Sequence, residues 1–213
     1  MRKPRLLDLC CGAGGAAMGY YRAGFDVVGV DIRPQLRYPF SFILDDVLRC
    51  DLKGFDAYHA SVPCQRFTRM LGFHPEARVK HPDLIKPIRE RLEETGKPYV
   101  LENVIGAPLQ NALLLCGAMF GLQVYRHRLF ESNLLLFQPY HSKHRVKAAR
   151  PGKIPGENEF WCPVGKFGRK DDAQRAMGID WMETTGSVST EIAQAIPPSY
   201  TQWLGQQILL YLA

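Results

Sequence analysis

One stretch constrains this chain more than any other. Arg5-Leu-Leu-Asp-Leu runs into Cys10-Cys11-Gly12-Ala13-Gly14-Gly15, then a short helix-forming segment, then Phe25-Asp-Val-Val-Gly-Val-Asp31. The first segment reads as a buried strand that breaks into a glycine-rich turn. The segment after it, with Ala16, Ala17, Met18 and Tyr21, predicts a helix that stops at Gly24, a residue suited to the left-handed C-terminal position. The third is an apolar strand that ends in an acid. Strand, turn, helix and strand within roughly 30 residues make a parallel βαβ unit. Parallel strands need crossovers, and the crossover helices cover both faces of the sheet.

The rest of the chain continues the alternation. Phe42 to Leu44 and Asp56 to Ser61 predict strands. Residues 66–82 lack a clean period, contain Gly72, Pro75 and Pro82, and read as a loop. Asp83 then caps a helix whose apolar face is Leu84, Ile85, Ile88 and Leu92, closed by Gly96. Pro98 to Glu102 predicts a strand, Leu109 to Phe120 a helix closed by Gly121, and Tyr125 to Glu131 a further strand. Ser189 to Leu212 is helical in pattern, with a break at Pro197-Pro198 and a final helix carrying Tyr200, Trp203, Leu204 and Ile208. The expected class is α/β with a mainly parallel sheet and helices on both faces. With 213 residues the chain can bury one such core and carry a modest insertion. The expected division is a catalytic domain of residues 1–138 and 173–213, interrupted by a short basic insertion at 139–172.

Charge singles out that insertion. The formal net charge is +6, and the segment from Pro139 to Lys170 holds eight basic and two acidic residues, the whole of the excess. Its basic side chains are Lys143, Arg145, Lys147, Arg150, Lys153, Lys166, Arg169 and Lys170. Such a segment suits a polyanion, nucleic acid above all. The six cysteines show no framework spacing and are expected to be reduced thiols in a cytoplasm. The basic start, Met1-Arg-Lys-Pro-Arg, is followed by only a short apolar stretch containing Asp8, which does not resemble a secretory signal. No apolar run suits a bilayer span.

Two ends of the predicted sheet carry chemistry. A glycine turn after a first strand lets backbone N–H groups and a helix N-terminus approach a ligand. Asp31, about 20 residues farther on, is placed to accept from ribose hydroxyls. The third glycine of a dinucleotide fingerprint is missing, as is a Gly-Lys-Ser/Thr phosphate loop. A ligand with an adenosine and no pyrophosphate fits better, and S-adenosylmethionine is one. Cys64 in Val62-Pro63-Cys64-Gln65 sits just past a strand and Glu102 in Leu101-Glu102-Asn103 at a strand's C-terminal end, the sheet edge where ligands bind in parallel α/β folds. A thiolate adding to carbon 6 of cytosine makes carbon 5 enamine-like and able to take a methyl group. A glutamate kept protonated by a desolvated site assists by hydrogen bonding to ring N3 and the exocyclic amine.

These residues resemble the DNA cytosine C5-methyltransferases, most of all their short phage-encoded members, in order over nearly the whole chain. Asp8-Leu-Cys10-Cys11-Gly12-Ala13-Gly14-Gly15 is similar to the family's cofactor loop. Asp31-Ile32 is similar to the acid–apolar pair at ribose and adenine, and Asp46-Val47 to the pair that reads the adenine amine. Pro63-Cys64-Gln65 resembles the nucleophile motif, Glu102-Asn103-Val104 the acid motif, and Arg126-His127-Arg128 the arginine motif that supports base and nucleophile. Arg175 to Trp181 is similar to the segment beneath the recognition region, and Gln194-Ala195-Ile-Pro-Pro to the motif that completes the cofactor pocket. Three positions depart from the pattern: Cys10 replaces Phe, Val124 replaces Gln and Gln194 replaces Asn.

The resemblance implies a Rossmann-like S-adenosylmethionine-dependent methyltransferase fold with a very small recognition insertion. It implies methyl transfer to carbon 5 of cytosine in DNA, with S-adenosylhomocysteine as the product. Cys64, Glu102, Arg126 and Arg128 are then the catalytic set. The cofactor set is Asp8, Cys10, Cys11, Gly12, Ala13, Gly14, Gly15, Asp31, Ile32, Asp46, Val47, Pro63, Gln194 and Ala195. A stacked base must be flipped out for this chemistry. The expected contacts to double-stranded DNA are Gln65, Arg66, Arg69, Lys143, Arg145, Lys147, Lys166, Arg169 and Lys170, on a monomer that reads a short or relaxed target. Protection from restriction and a regulatory mark are both compatible roles. The alternatives are methylation of cytosine in transfer RNA and a non-catalytic DNA-binding relative, the latter disfavoured by the presence of both Cys64 and Glu102. His141-Ser-Lys-His144 with Cys162 supplies only three ligands and no Cys-x-x-Cys pair, so no metal site is expected.

Overall fold

The computed structural model describes residues 2–67, 82–164, 169–182 and 190–213. Its centre is the predicted unit: β1 (Arg5–Leu9), α1 (Gly15–Ala23) and β2 (Asp26–Asp31). β3 (Ser41–Leu44), β4 (Ala57–Ala60), α2 (Ile85–Glu94) and β5 (Tyr99–Asn103) follow. β6 (Leu113–Leu115) and β7 (Arg128–Ser132) complete a 7-stranded sheet in the order β3-β2-β1-β4-β5-β7-β6. The first five strands are parallel. β7 runs antiparallel to both β5 and β6. Strand order reverses between β1 and β4, which opens a crevice beyond their C-terminal ends.

Alternation along β1 divides its side chains between two cores. Leu7 and Leu9 join Ile85, Ile88 and Leu92 of α2 on one face, and Leu6 faces α1 and the C-terminal helix on the other. That helix, α5 (Pro198–Leu212), begins with Pro198 in its first turn, as Pro197-Pro198 requires. It lies so close to α1 that a Cβ on Gly19 would stand 2.0 Å from the Thr201 hydroxyl oxygen. The N-cap of α2 is Leu84 and not the expected Asp83, which stands one residue earlier and accepts the Ile85 N–H at 3.0 Å.

The segment Leu109 to Phe120 is not the helix its composition suggests. It forms β6 and a 3-10 turn at Gly117–Phe120. Asn111 takes a positive φ of 45° directly before the strand, and Leu113 to Leu115 pair with Arg128 to Phe130. Cross-strand pairing overrides the helix preference of leucine here.

The segment after β7 builds little regular structure of its own. β8 (Lys147–Ala148) and β9 (Glu159–Phe160) form a two-stranded parallel sheet. Trp161 donates its backbone N–H to Gln123 at 2.8 Å, which ties the segment to the main domain. α3 (Lys170–Met177) and α4 (Thr190–Gln194) then bring Ala173, Ala176, Met177 and Ile192 against Ala13, Val124 and Trp161. This third apolar cluster explains the departure at position 124. Val124 is fully buried in it, where a glutamine amide would need partners. Among the described residues, no helix is long and apolar enough to cross a membrane.

Candidate active site

The glycine turn leaves β1 through three residues with positive φ: Cys10 at 56°, Gly12 at 49° and Gly14 at 85°. Glycine meets that demand at two of them, and a Cβ on Gly12 would meet nothing within 4 Å, so the space above the turn is open. Gly15 serves close approach instead, because a Cβ there would stand 2.5 Å from the Ile196 carbonyl oxygen. That contact brings Gln194 and Ala195 to the turn. The Trp181 indole donates to the Ala13 carbonyl at 2.8 Å from the other side.

The acids around the turn are polarised by burial. Asp8 is fully buried, and neither of its carboxyl oxygens has a well-formed hydrogen bond among the described residues. Desolvation, and then the charge of Asp31, hold its carboxyl well above the usual range. Asp31 accepts the Gly12 N–H and the Arg33 N–H, both at 3.1 Å, which fixes its carboxylate at the rim with lone pairs to spare. Ile32 beside it is 70% exposed, an apolar side chain left open next to a charged one. Asp46 accepts the Leu48 N–H at 2.9 Å, and Val47 is buried beneath it. Burial raises the thiols of Cys10 and Cys11 far above their ordinary value, which disfavours the thiolate at both. An open glycine cradle, a rim carboxylate and an exposed apolar neighbour are what an adenosine needs, and the residues fit S-adenosylmethionine.

The adjacent strands bring together the candidate reactive set. Cys64 lies four residues past β4, half-buried, in a loop pinned by the Asn103 amide, which donates to the Val62 carbonyl at 3.1 Å. Glu102 is buried on β5, and Arg128 at the start of β7 sets its Nε 3.0 Å from a Glu102 oxygen. Burial raises the Cys64 thiol, Arg128 pulls it back, and Glu102 pushes it up again, so the three groups feel one another directly. Burial likewise raises the Glu102 carboxyl against the pull of Arg128 and Arg126.

Arg126 is held by backbone carbonyls of distant segments. It adopts a φ of 34° and donates to three carbonyls: Ala195 at 2.6 Å, Ala193 at 2.7 Å and Pro163 at 3.3 Å. Burial, helped by Arg128, lowers its guanidinium to about 9. Its charge reaches Cys64 and Glu102, and three of its five N–H donors join the segment before β7 to the C-terminal motif and to Pro163. The Tyr200 hydroxyl fixes the same turn by donating toward the carbonyls of Arg126 at 3.0 Å and Tyr125 at 3.1 Å.

Sequence reasoning missed what stands behind Glu102. The Ser61 side chain hydrogen-bonds Glu102 and also meets His59 Nε2 at 2.9 Å. His59 Nδ1 meets the Tyr20 hydroxyl at 3.0 Å. Only the alternation of β4, which points His59 and Ser61 to one face, could have signalled it. His59 is fully buried, and desolvation lowers it to about 3. The unfolded chain therefore takes up this proton near pH 6.5 while the folded one does not, so the stabilisation is complete above that pH and is lost as pH falls toward 3. Asp8 and Glu102, raised when folded, run the opposite way, so the histidine is isolated by difference. The melting-temperature gap between wild type and His59→Gln should narrow steadily between pH 7 and pH 4. A gap that stays constant would exclude a neutral, buried His59.

The predicted nucleic-acid contacts divide by placement. Gln65 and Arg66 form a 3-10 turn directly after Cys64. Lys143, Arg145 and Lys147 are exposed, with Lys147 within 3.6 Å of Glu159. Arg169 is engaged by Asp172, and Lys170 is buried at the first turn of α3, which removes it from the shared surface. Arg69 and Lys166 lie outside the described residues.

No protein-family model matches the sequence, and no curated protein matches it. Solved structures do match. One is an E. coli protein described as a DNA modification methyltransferase encoded within a prophage, with a TM-score of 0.69 at 13% identity over 99% of both chains. The S. pombe Dnmt2 methyltransferase gives 0.65 at 14% identity over 99% of both chains. The Entamoeba histolytica methyltransferase EhMeth gives 0.63 at 12% over the full length of both. The chain has the Rossmann-like fold of these methyltransferases.

Proposed function

We propose that this chain transfers a methyl group from S-adenosylmethionine to carbon 5 of cytosine in DNA. The observation that carries the reading is the convergence of Cys64, Glu102 and Arg128 at the rim beside the glycine turn, where strand order reverses. Gly12 to Gly15, Asp31, Ile32, Asp46 and Val47 would hold the cofactor, which supplies an electrophilic methyl group when bound.

The chain's own residues then account for each step on the base. Arg128 beside Cys64 favours the thiolate after its proton leaves to solvent. The sulfur adds to carbon 6 of a flipped-out cytosine. Glu102, whose carboxyl burial raises, gives a proton to N3 as the sulfur adds, so the displaced electron pair becomes the C4=C5 bond of an enamine with a nucleophilic carbon 5. Carbon 5 takes the methyl group. Loss of the carbon 5 proton to a solvent base then expels Cys64 as the thiolate, and N3 returns its proton to Glu102, which restores the aromatic ring and the acid. Lys143, Arg145 and Lys147 are placed to meet DNA phosphates, and Gln65 and Arg66 to close beside the base.

Covalent trapping tests the proposal. Duplex DNA carrying 5-fluorocytosine, with S-adenosylmethionine present, should form a denaturation-resistant adduct at Cys64, because fluorine cannot leave as a proton. Transfer RNA carrying the same base should not. An adduct with the RNA alone would move the substrate to RNA. Adducts with neither, in a protein that binds the cofactor, would end the covalent reading.

A further inference from the structure

We propose that Cys116, His127, His141 and His144 form a four-ligand zinc site that fastens the basic insertion to the arginine segment. The four residues come from three separate places. Cys116 follows β6 and is fully buried, His127 lies between Arg126 and Arg128, and His141 and His144 belong to the insertion. Their ligand atoms all lie within 4.8 Å of one another. Cys116 Sγ is 3.4 Å from His144 Nε2, and His141 Nε2 is 3.0 Å from the same nitrogen. Tetrahedral zinc, with bonds of about 2.3 Å to sulfur and 2.0–2.1 Å to nitrogen, sets its ligand atoms about 3.3–3.6 Å apart. Small side-chain rotations close the difference.

Hydrogen bonding alone satisfies this group poorly. Two facing ring nitrogens share a single proton, and a thiol is a weak donor. One cation at the centre would serve all four at once. The ring of Tyr125 stacks on His144 at 3.6 Å between centroids, and the Tyr125 hydroxyl donates to the Val146 carbonyl, so the exposed histidine is held in place. One thiolate with three imidazoles suits zinc. Four protein ligands leave no open position, which makes the site structural.

The insertion also needs such a fastening. Its regular structure among the described residues is one pair of two-residue strands, while Tyr140 is 88% and Ile154 51% exposed. A segment with so little core of its own gains stability from a metal staple. The spacing rule misses the site because Cys116 and His127 lie far from the insertion in sequence. Cys162, the thiol nearest in reading, stands instead where it feels the charge of Arg126.

The test uses the full chain, zinc and cobalt, and does not depend on the methyl-transfer reading. Protein equilibrated with zinc and desalted should retain one zinc per chain. Cobalt in its place should give a thiolate-to-cobalt charge-transfer band and intense tetrahedral d–d bands. His144→Ala, an exposed position that spares the fold, should weaken zinc by more than about 100-fold in chelator competition, beyond the loss typical of an outer hydrogen bond. Cys116→Ala should remove the charge-transfer band, and Cys162→Ala should leave both readouts unchanged. Retention well below one zinc, a cobalt spectrum without the thiolate band, or a His144→Ala variant that binds as tightly as wild type would overturn the site.

Discussion

On the proposed mechanism Cys64→Ala is expected to abolish methyl transfer, a loss on the order of 10⁴-fold or more, because it removes the thiol that adds to carbon 6. Stability should hardly change. Cys64 is half-buried in a loop and belongs to none of the three apolar clusters, so its sulfur leaves no cavity of consequence. Glu102→Gln separates the second role. Glutamine keeps hydrogen-bonding capacity beside Ser61 and Arg128 but has no proton to give to N3. Its kcat should fall by roughly 10²–10⁴-fold, and covalent trapping should slow in step because addition itself is impaired. Radiolabelled methyl transfer to duplex DNA, with thermal melts of each variant, checks both. Wild-type methylation by Cys64→Ala would remove the covalent mechanism, and normal trapping by Glu102→Gln would remove its acid.

The parts legible in the sequence are those whose signals are local. β1, the glycine turn, α1 and β2 stand in consecutive residues, and each has its own marker. Cys64 and Glu102 stand out in the sequence because one comes shortly after, and the other ends, an apolar run short enough to be a strand. Three features were hidden for one shared reason: their partners are distant in the chain. Leu113 to Leu115 form a strand because β7 is available to pair with them, and the leucines alone do not distinguish that from a helix. Arg126 reads as a base contact from its motif, and the sequence does not show that three of its five N–H donors go to the carbonyls of Pro163, Ala193 and Ala195. The four candidate zinc ligands span Cys116 to His144, and His127 is concealed between two arginines that account for the motif without it.

A buried ion pair between α2 and β7 braces the strand that carries Arg128, and its loss should carry a large stability cost. Arg89 on α2 forms a fork with Glu131 on β7, Nε to Oε1 at 2.6 Å and NH2 to Oε2 at 2.7 Å, with side chains only 10% and 4% exposed. The same guanidinium donates to the Pro108 carbonyl, and the same carboxylate accepts the Gln110 N–H at 2.6 Å. Glu131 pairs with Leu101 across the ladder that sets Phe130 opposite Glu102, so this network fixes β7 against β5 next to the reactive acid. Arg89→Ala leaves a buried carboxylate without its counter-charge, which should cost about 3–5 kcal/mol. For a chain of this size that is a fall in Tm of roughly 6–20 °C. The pair between Lys86 and Glu90 on the same helix is the control: it is 3.8 Å long and its side chains are 79% and 57% exposed. Lys86→Ala should therefore change stability by no more than about 0.5 kcal/mol. Chemical denaturation of both variants measures the contrast. A loss at Arg89 no larger than that at Lys86 would mean that β7, and Arg128 with it, is held by the strand ladder alone.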